Sequence, residues 1–402
     1  MNADPGEDMH PKTLNVLLVS GWVDQAFTFV RSFSRQDHIN LFVADCWPNS
    51  ACGHSRHCKR FHLVPSFEEP GYIPALLKIC KQEGIDIVLP VHQEDLVEIA
   101  KHKHLFEAAG FNLPIPDYPL IELAIDKYRM AILAQENGLA VPETHLLNEI
   151  RSSDLGQRIA LPVLIKLRNS TGQRGQKKVS DFSAVEAHIS SLLETHGEDE
   201  IIVQEFIPGT VLDSMYTVGL LYDHLHHLKA CIPLKKIRSR PYTGGTAICT
   251  VAENRPDVRE MAINVMNAFT AWEGIADVEI KIDPEDRPRF IEVNPRPWGS
   301  IYGSYVAGVD LPALWLKVAL REDFDAVSEF GEGIYGSFLS RDLVLLRDLL
   351  KYLLSKERRD AWQVLKTYTR PYLGKGKNST STATSDFVLD DLRPFLKNLA
   401  RF

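Results

Sequence analysis

The stretch that most restricts this chain runs from Trp272 to Ser300, WEGIADVEIKIDPEDRPRFIEVNPRPWGS. Val278, Ile280 and Ile282 alternate with Glu279, Lys281 and Asp283. After a Pro/Asp/Glu turn, Ile291 and Val293 alternate with Phe290, Glu292 and Asn294. Period-two alternation is the signature of strands with one apolar face, so the stretch predicts a β-hairpin. A four-residue turn, Pro284–Arg287, closed by Asp283 and Pro288, sets Glu279 directly opposite Glu292. Carboxylates facing each other across a ribbon repel. A chain that adds an amide oxygen (Asn294) beside them and an arginine (Arg296) just past them is gathering hard oxygen ligands for a divalent cation. Magnesium is commonly held by one or two carboxylates plus substrate phosphates. The same alternation also suits a hairpin whose charged face simply meets water, so the rest of the chain has to decide.

At 402 residues the chain has length for two to three domains. Its 45% hydrophobic and 24% charged residues are those of a soluble globular protein. A net charge of −8 gives no general attraction to nucleic acid or to an anionic membrane. No run approaches the roughly twenty apolar residues of a membrane span. The start, MNADPGEDMHPKT, is acidic and lacks an apolar signal core, which predicts a cytoplasmic chain with a frayed N-terminus. Six cysteines do not make a disulfide framework at this length. Cys46, Cys52 and Cys58, with His54 and His57 between them, lack the CxxC knuckle of structural zinc sites and read as a polar loop.

From residue 14 strands and helices alternate: strands at 14–19, 39–44, 61–64 and 86–90, helices at 23–34, 74–83 and 96–109. Such alternation predicts a parallel, Rossmann-like sheet. One glycine, Gly21, follows the first strand where GxGxxG needs three, so no NAD is expected. His92-Gln93-Glu94-Asp95 follows a strand's carboxyl end, where α/β sheets bind ligands; an N-cap by Glu94 or Asp95 is the simpler reading.

Asp126 caps a helix that begins at Lys127. Lys166 ends the apolar strand LPVLIK, and RNSTGQRG (168–175) follows, with small residues that let backbone N–H groups approach phosphate. It does not match a Walker A loop. IIVQEFIPG (201–209) is an apolar strand able to offer backbone groups to an adenine edge, with Phe206 and Ile207 as apolar contacts. Asp213 follows, a candidate for ribose hydroxyls or a turn cap. Lys235, Lys236, Arg238 and Arg240, with Lys229 upstream, flank a Gly-Gly turn. Charge runs usually mark a solvated face, but arginine before a glycine turn also suits bidentate recognition of anions.

Taken in order over about residues 120–310, these elements resemble the ATP-grasp ligase superfamily. They are most similar to its predicted carboligases reading K-x-R-x-x-P-x-x-G-G-T (Lys236, Arg238, Pro241, Gly244, Gly245, Thr246) and N-P-R-x-W-G-S (Asn294, Pro295, Arg296, Trp298, Gly299, Ser300). The resemblance implies an α/β and α+β chain. A Rossmann-like pre-ATP-grasp domain (12–118) precedes an ATP-grasp fold (119–330, lid about 130–208) and a C-terminal helical extension (331–402, mobile linker 374–386). It implies that Lys127 and Lys166 contact ATP phosphates beneath a loop containing Ser170, Thr171, Gly172 and Gly175. Gln204, Glu205, Phe206 and Ile207 would hold adenine, and Asp213 the ribose. Glu279, Glu292 and Asn294 would bind two magnesium ions, replaceable by manganese. Arg296, Arg238 and Lys281 would serve catalysis. The implied reaction joins a small-molecule carboxylate to an amine with release of ADP, in a chain with no nucleic-acid or membrane partner and capable of forming a homodimer. A thiol or hydroxyl acceptor, or a silent ATP-binding protein, stays open.

Overall fold

The computed structural model describes residues 13–150, 158–170, 175–209, 214–241, 245–353, 362, 364–366 and 383–401. Thr171, Gly172, Asp213 and Gly244 lie outside the described residues, as do most of the linker 374–386 and of the helix expected at 361–369.

The first sheet is parallel in the order β3-β2-β1-β4, formed by β1 (Leu14–Val19), β2 (Ile39–Asp45), β3 (Cys58–Leu63) and β4 (Ile87–Pro90). The Rossmann-like layer expected from strand–helix alternation is therefore present. The helix expected over 96–109 is two, Gln93–Lys101 and Lys103–Ala108, because His102 leaves helical geometry at φ −111°. The helix starting at Gln93 is not capped by Glu94 or Asp95. His92 occupies the N-cap position, while Asp95 accepts from the Tyr72 hydroxyl and meets His92 Nδ1 at 2.8 Å.

The second sheet is antiparallel in the order β5-β8-β6-β7, from β5 (Thr144–Leu146), β6 (Val163–Leu167), β7 (Lys177–Val179) and β8 (Ile201–Glu205). It packs a core of Val163, Ile165, Val185 and Ile189 under the helix Phe182–Leu193. Asp181 caps that helix by accepting from the Ala184 N–H at 2.8 Å.

The third sheet has seven strands in the order β13-β12-β9-β10-β11-β14-β15. Its strands are β9 (Met215–Tyr222), β10 (Leu228–Arg240), β11 (Thr246–Ala252), β12 (Gly274–Ile282), β13 (Pro288–Asn294), β14 (Tyr335–Ser337) and β15 (Ala383–Thr384). The stretch after residue 331 is thus more than a helical extension: it supplies two strands to this sheet. It then returns to the first domain. Arg341 forks onto Asp24, Arg31 Nε donates to the Ser385 carbonyl at 2.9 Å, and Arg401 Nη1 donates to the Trp22 carbonyl at 2.9 Å. Among the described residues no helix is long and apolar enough to cross a membrane, and no three His, Cys, Asp or Glu side chains converge as a metal cluster.

The basic run is not a solvated face. β10 slips register between Lys236 and Arg238 and again between Arg238 and Ser239. Such bulges break the alternation that would keep residues two apart on one face. Lys236 turns to the cleft described below. Arg238, expected to face the transferred phosphoryl group, is fully buried and gives a bidentate pair to Asp342 at 2.8 and 2.6 Å. Removing one partner of a buried ion pair leaves the other charge desolvated, whereas replacing both with apolar groups is often mild. Asp342→Ala is therefore expected to cost about 3–5 kcal/mol in chemical denaturation. Arg238→Met/Asp342→Leu should cost clearly less. A double variant at least as unstable as the single one would refute this account.

Candidate active site

β12 and β13 bring Glu279 and Glu292 face to face, but not by the simplest route. The loop spans Asp283–Arg287, one residue longer than the four-residue turn, because Ile282 pairs with Pro288. A slip between Glu279 and Ile280 then leaves Ile291 as the extra residue and restores the register. Glu279 faces Glu292, Val278 faces Val293, and Asp277 faces Asn294. The two irregularities cancel.

Cations answer the two carboxylates. Lys236 Nζ lies 2.7 Å from Glu279 Oε1, and Lys127 Nζ lies 3.7 Å from Glu292 Oε2. Burial works against both Glu292 and Lys236 in their charged forms, but their partners outweigh it. Lys127, Lys166, Lys236 and Arg296 hold the Glu292 carboxyl below its usual range. Glu279, Asp277 and Glu292 hold the Lys236 ammonium above its own. Lys166 is different: burial pushes it down to about 8, helped by Lys127 and opposed by Glu292 and Glu279. Lys127 also donates to the Ser170 carbonyl, which fastens the helix Lys127–Glu136 to the segment after β6.

Asp277 and Lys236 were missing from the candidate residues drawn from sequence. The signal for Asp277 was available, since it lies two before Glu279 on the same alternating face. It is buried, accepts from the Thr217 hydroxyl, and accepts from Asn294 Nδ2 at 3.2 Å. Burial and then the charge of Glu279 push its carboxyl up to about 7, against Thr217, Lys236 and Arg296. Arg296 is held by the Pro297 carbonyl at 2.9 Å and by Asn294 Oδ1 at 3.3 Å.

These groups line one cleft of about 980 Å³. Its second wall is the end of β8 and the segment after it. Gln204 is buried, with Nε2 donating to Thr144 Oγ1 at 2.7 Å, and Glu205 is tied to Glu143 and Arg289. Lys178 and Lys281 approach the Phe206 ring at 3.9 and 4.8 Å from its centroid. Lys281 donates to the Ile207 carbonyl at 2.6 Å and the Gly209 carbonyl at 3.3 Å, so it serves this segment and not the carboxylates. Burial and Lys178 push it down to about 8. Ser170 lines the cleft. Gly175 turns at φ +70°, where a Cβ would sit 2.9 Å from Leu167. The far end of the cleft is lined by Trp22, Asp24, His92, Gln93 and Glu94 from the first domain and by Arg341.

The donor set suits a hard cation that arrives with its own oxygens. The protein brings two opposed carboxylates and an amide oxygen, short of a closed cage, which matches magnesium completed by phosphates. Lys127, Lys166, Lys236 and Arg296 in the same cleft provide charge for a polyphosphate, and the 204–209 segment offers an apolar slot with backbone groups. Of the expected residues, the structure brings Lys127, Lys166, Ser170, Gln204–Ile207, Lys281, Glu279, Glu292, Asn294 and Arg296 into one cleft, and leaves Arg238 and Gly175 out of its lining.

Two family models match: "PylC-like, N-terminal domain" over residues 16–113, and "ATP-grasp in the biosynthetic pathway with Ter operon" over residues 199–336. A D-aspartate ligase of Enterococcus faecium is 25% identical over 68% of this chain and 68% of its own length. A D-alanine–D-alanine ligase of Dechloromonas aromatica is 26% identical over 49% of this chain and 67% of its own. Among solved structures, the biotin carboxylase domain dimer of the Hydrogenobacter thermophilus 2-oxoglutarate carboxylase, in complex with MgADP, ADP and bicarbonate, superposes with a TM-score of 0.62. It is 18% identical and covers 81% of this chain and 74% of that one. These matches give the chain a PylC-like N-terminal domain over residues 16–113 and an ATP-grasp domain over residues 199–336, in a fold shared with the solved structure.

Proposed function

We propose that the cleft activates a small-molecule carboxylate with ATP as an acyl phosphate and passes it to an amine, releasing ADP and phosphate. The observation that carries this reading is the opposed pair Glu279 and Glu292 with four cations, Lys127, Lys166, Lys236 and Arg296, in one cleft. A carboxylate is a poor electrophile because its oxygen leaves badly. Phosphorylation supplies a leaving group, and phosphoryl transfer asks the protein for positioning and charge neutralisation more than for covalent help.

Lys127 and Lys166 meet the nucleotide phosphates from the lid side, beneath the segment carrying Ser170. Gln204, Glu205, Phe206 and Ile207 receive adenine, while Lys281 fixes the carbonyls of Ile207 and Gly209 that shape that slot. Arg296 faces the transferred group. Glu279, Glu292 and Asn294 hold two magnesium ions, or manganese in their place, which when bound neutralise charge on the phosphates. The far end, with Asp24, His92, Glu94 and Arg341, takes a polar acid or amine of amino-acid type, in keeping with the D-aspartate ligase relative. A cytoplasmic setting and a homodimer like that of the Hydrogenobacter domain complete the reading; light scattering at the mass of one chain would remove the dimer.

With ATP, magnesium and a panel of amino-acid pairs, the purified protein is expected to release ADP and phosphate, and hydroxylamine should trap an acyl hydroxamate. Release of AMP and pyrophosphate would reject the reaction. Glu292→Gln is expected to lower turnover at least about 100-fold with the fold intact by circular dichroism; unchanged turnover counts against the metal assignment. Because Lys166 sits at about 8, it sheds its positive charge as the pH rises through that value. Metal-free ATP affinity should therefore weaken from about pH 7 to about pH 9, and Lys166→Met should flatten the profile. An equally steep profile in that variant would assign the loss elsewhere.

A further inference from the structure

An amide side chain can ligate a hard cation only through its oxygen, yet its two ends are nearly the same size and exchange by a half-turn about the last torsion. A site that uses Asn294 as a ligand must decide which end faces the cation. Asn294 Nδ2 donates to Asp277 Oδ2 at 3.2 Å, and Asn294 Oδ1 accepts from Arg296 Nη2 at 3.3 Å. A half-turn would press the carbonyl oxygen against a carboxylate and the NH2 group against a guanidinium. Both contacts penalise that flip. Asp277 is itself held by the Thr217 hydroxyl, and Thr217 sits on β9 directly opposite Glu279. The chain Thr217–Asp277–Asn294–Arg296 is buried or half-buried throughout, so its hydrogen bonds act at low local dielectric.

We propose that Asp277 is a positioning residue: it locks the amide of Asn294 so that its oxygen faces the cation bound between Glu279 and Glu292. This rests on the reading of Asn294 as a metal ligand. It concerns the acceptor oxygen that Asp277 offers, not coordination by Asp277 itself. Groups that orient a ligand in this way typically govern metal affinity by about 10- to 100-fold.

The test is the affinity of the protein–ADP complex for Mn2+, followed by the paramagnetic resonance signal of free Mn2+, with ADP affinity in EDTA and circular dichroism as controls. Asp277→Ala, with Asp277→Leu as a bulkier second variant, should weaken Mn2+ roughly 10- to 100-fold while leaving metal-free ADP affinity unchanged. Asp277→Asn should stay within about threefold of wild type, because its own amide can turn its oxygen to Asn294 and its NH2 to Thr217. In the Asn294→Asp background the two ligand oxygens are equivalent and no flip is left to lock. Measured against Asn294→Asp alone, Asp277→Ala should therefore cost Mn2+ affinity much less than it does in the wild-type background, a non-additivity that a merely structural role would not produce. Wild-type affinity in Asp277→Ala, or a loss in Asp277→Asn as large as in Asp277→Ala, or a loss from Asp277→Ala that is as large in the Asn294→Asp background as in wild type, overturns the proposal. Failure of the wild-type protein with ADP to bind Mn2+ at all overturns the metal reading itself, a result distinct from these.

Discussion

Two carboxylates facing each other across a buried ribbon cannot stand without counter-charge. Glu279 and Glu292 are neighbours by register, so the backbone fixes their opposition before any side chain chooses a rotamer. Everything around them answers that constraint. Lys236 comes from β10, Lys127 from a helix start, Lys166 from the end of β6 and Arg296 from the segment after β13. Four elements from three parts of the chain converge because a like-charged pair at close range in a low-dielectric site is otherwise too costly. The same convergence makes the cleft able to receive a polyanion and its metal: the charges that stabilise the ribbon are those that a nucleotide tail needs.

Much of this was legible in sequence wherever a local rule carried the information. Alternation gave the β12–β13 ribbon, and strand–helix alternation gave the parallel first sheet. Asp126 was readable as an N-cap and does accept from the Arg129 N–H at 3.0 Å. What local rules could not carry was irregularity. The facing of Glu279 and Glu292 was inferred from a turn that the chain does not make, and it survives only because a longer loop and a bulge at Ile291 offset each other. The slips around Arg238 show the same limit without the cancellation. Residues two apart should share a face, so Lys236 and Arg238 looked alike, and the bulge sends one to the cleft and the other to Asp342. Bulges depend on what the neighbouring strand and the packing helix demand, and those partners are distant in sequence.

The C-terminal stretch was illegible for a related reason. β14 and β15 are too short to show a period, and their partners are β11 and each other. Once the chain is seen in space, that stretch explains why the first domain stays against the cleft. Asp386 accepts from the Leu339 N–H at 2.9 Å and from Ser340, fastening the returning segment to the helix Leu339–Tyr352. From the first turn of that helix Arg341 reaches Asp24, at the start of the helix Asp24–Phe33. Asp24 and Arg341 both line the cleft, so a contact in its wall also joins the first helix of the chain to the segment that follows β14.

A second tie joins Asp126 to Arg168. Arg168 forks onto Asp126 at 2.8 and 2.7 Å, and the Lys127 N–H donates to the Arg168 carbonyl at 3.2 Å. Asp126 therefore does two jobs: it caps the helix that begins with Lys127 and anchors the segment that follows Lys166. The two lysines are thereby set relative to one another by a hydrogen-bonded joint and not by the sheet alone. β6 and the helix carrying Lys127 thus share one carboxylate. The helix that begins with Lys127 also packs on β13, so the Asp126 joint ties β6 to the ribbon that carries Glu292.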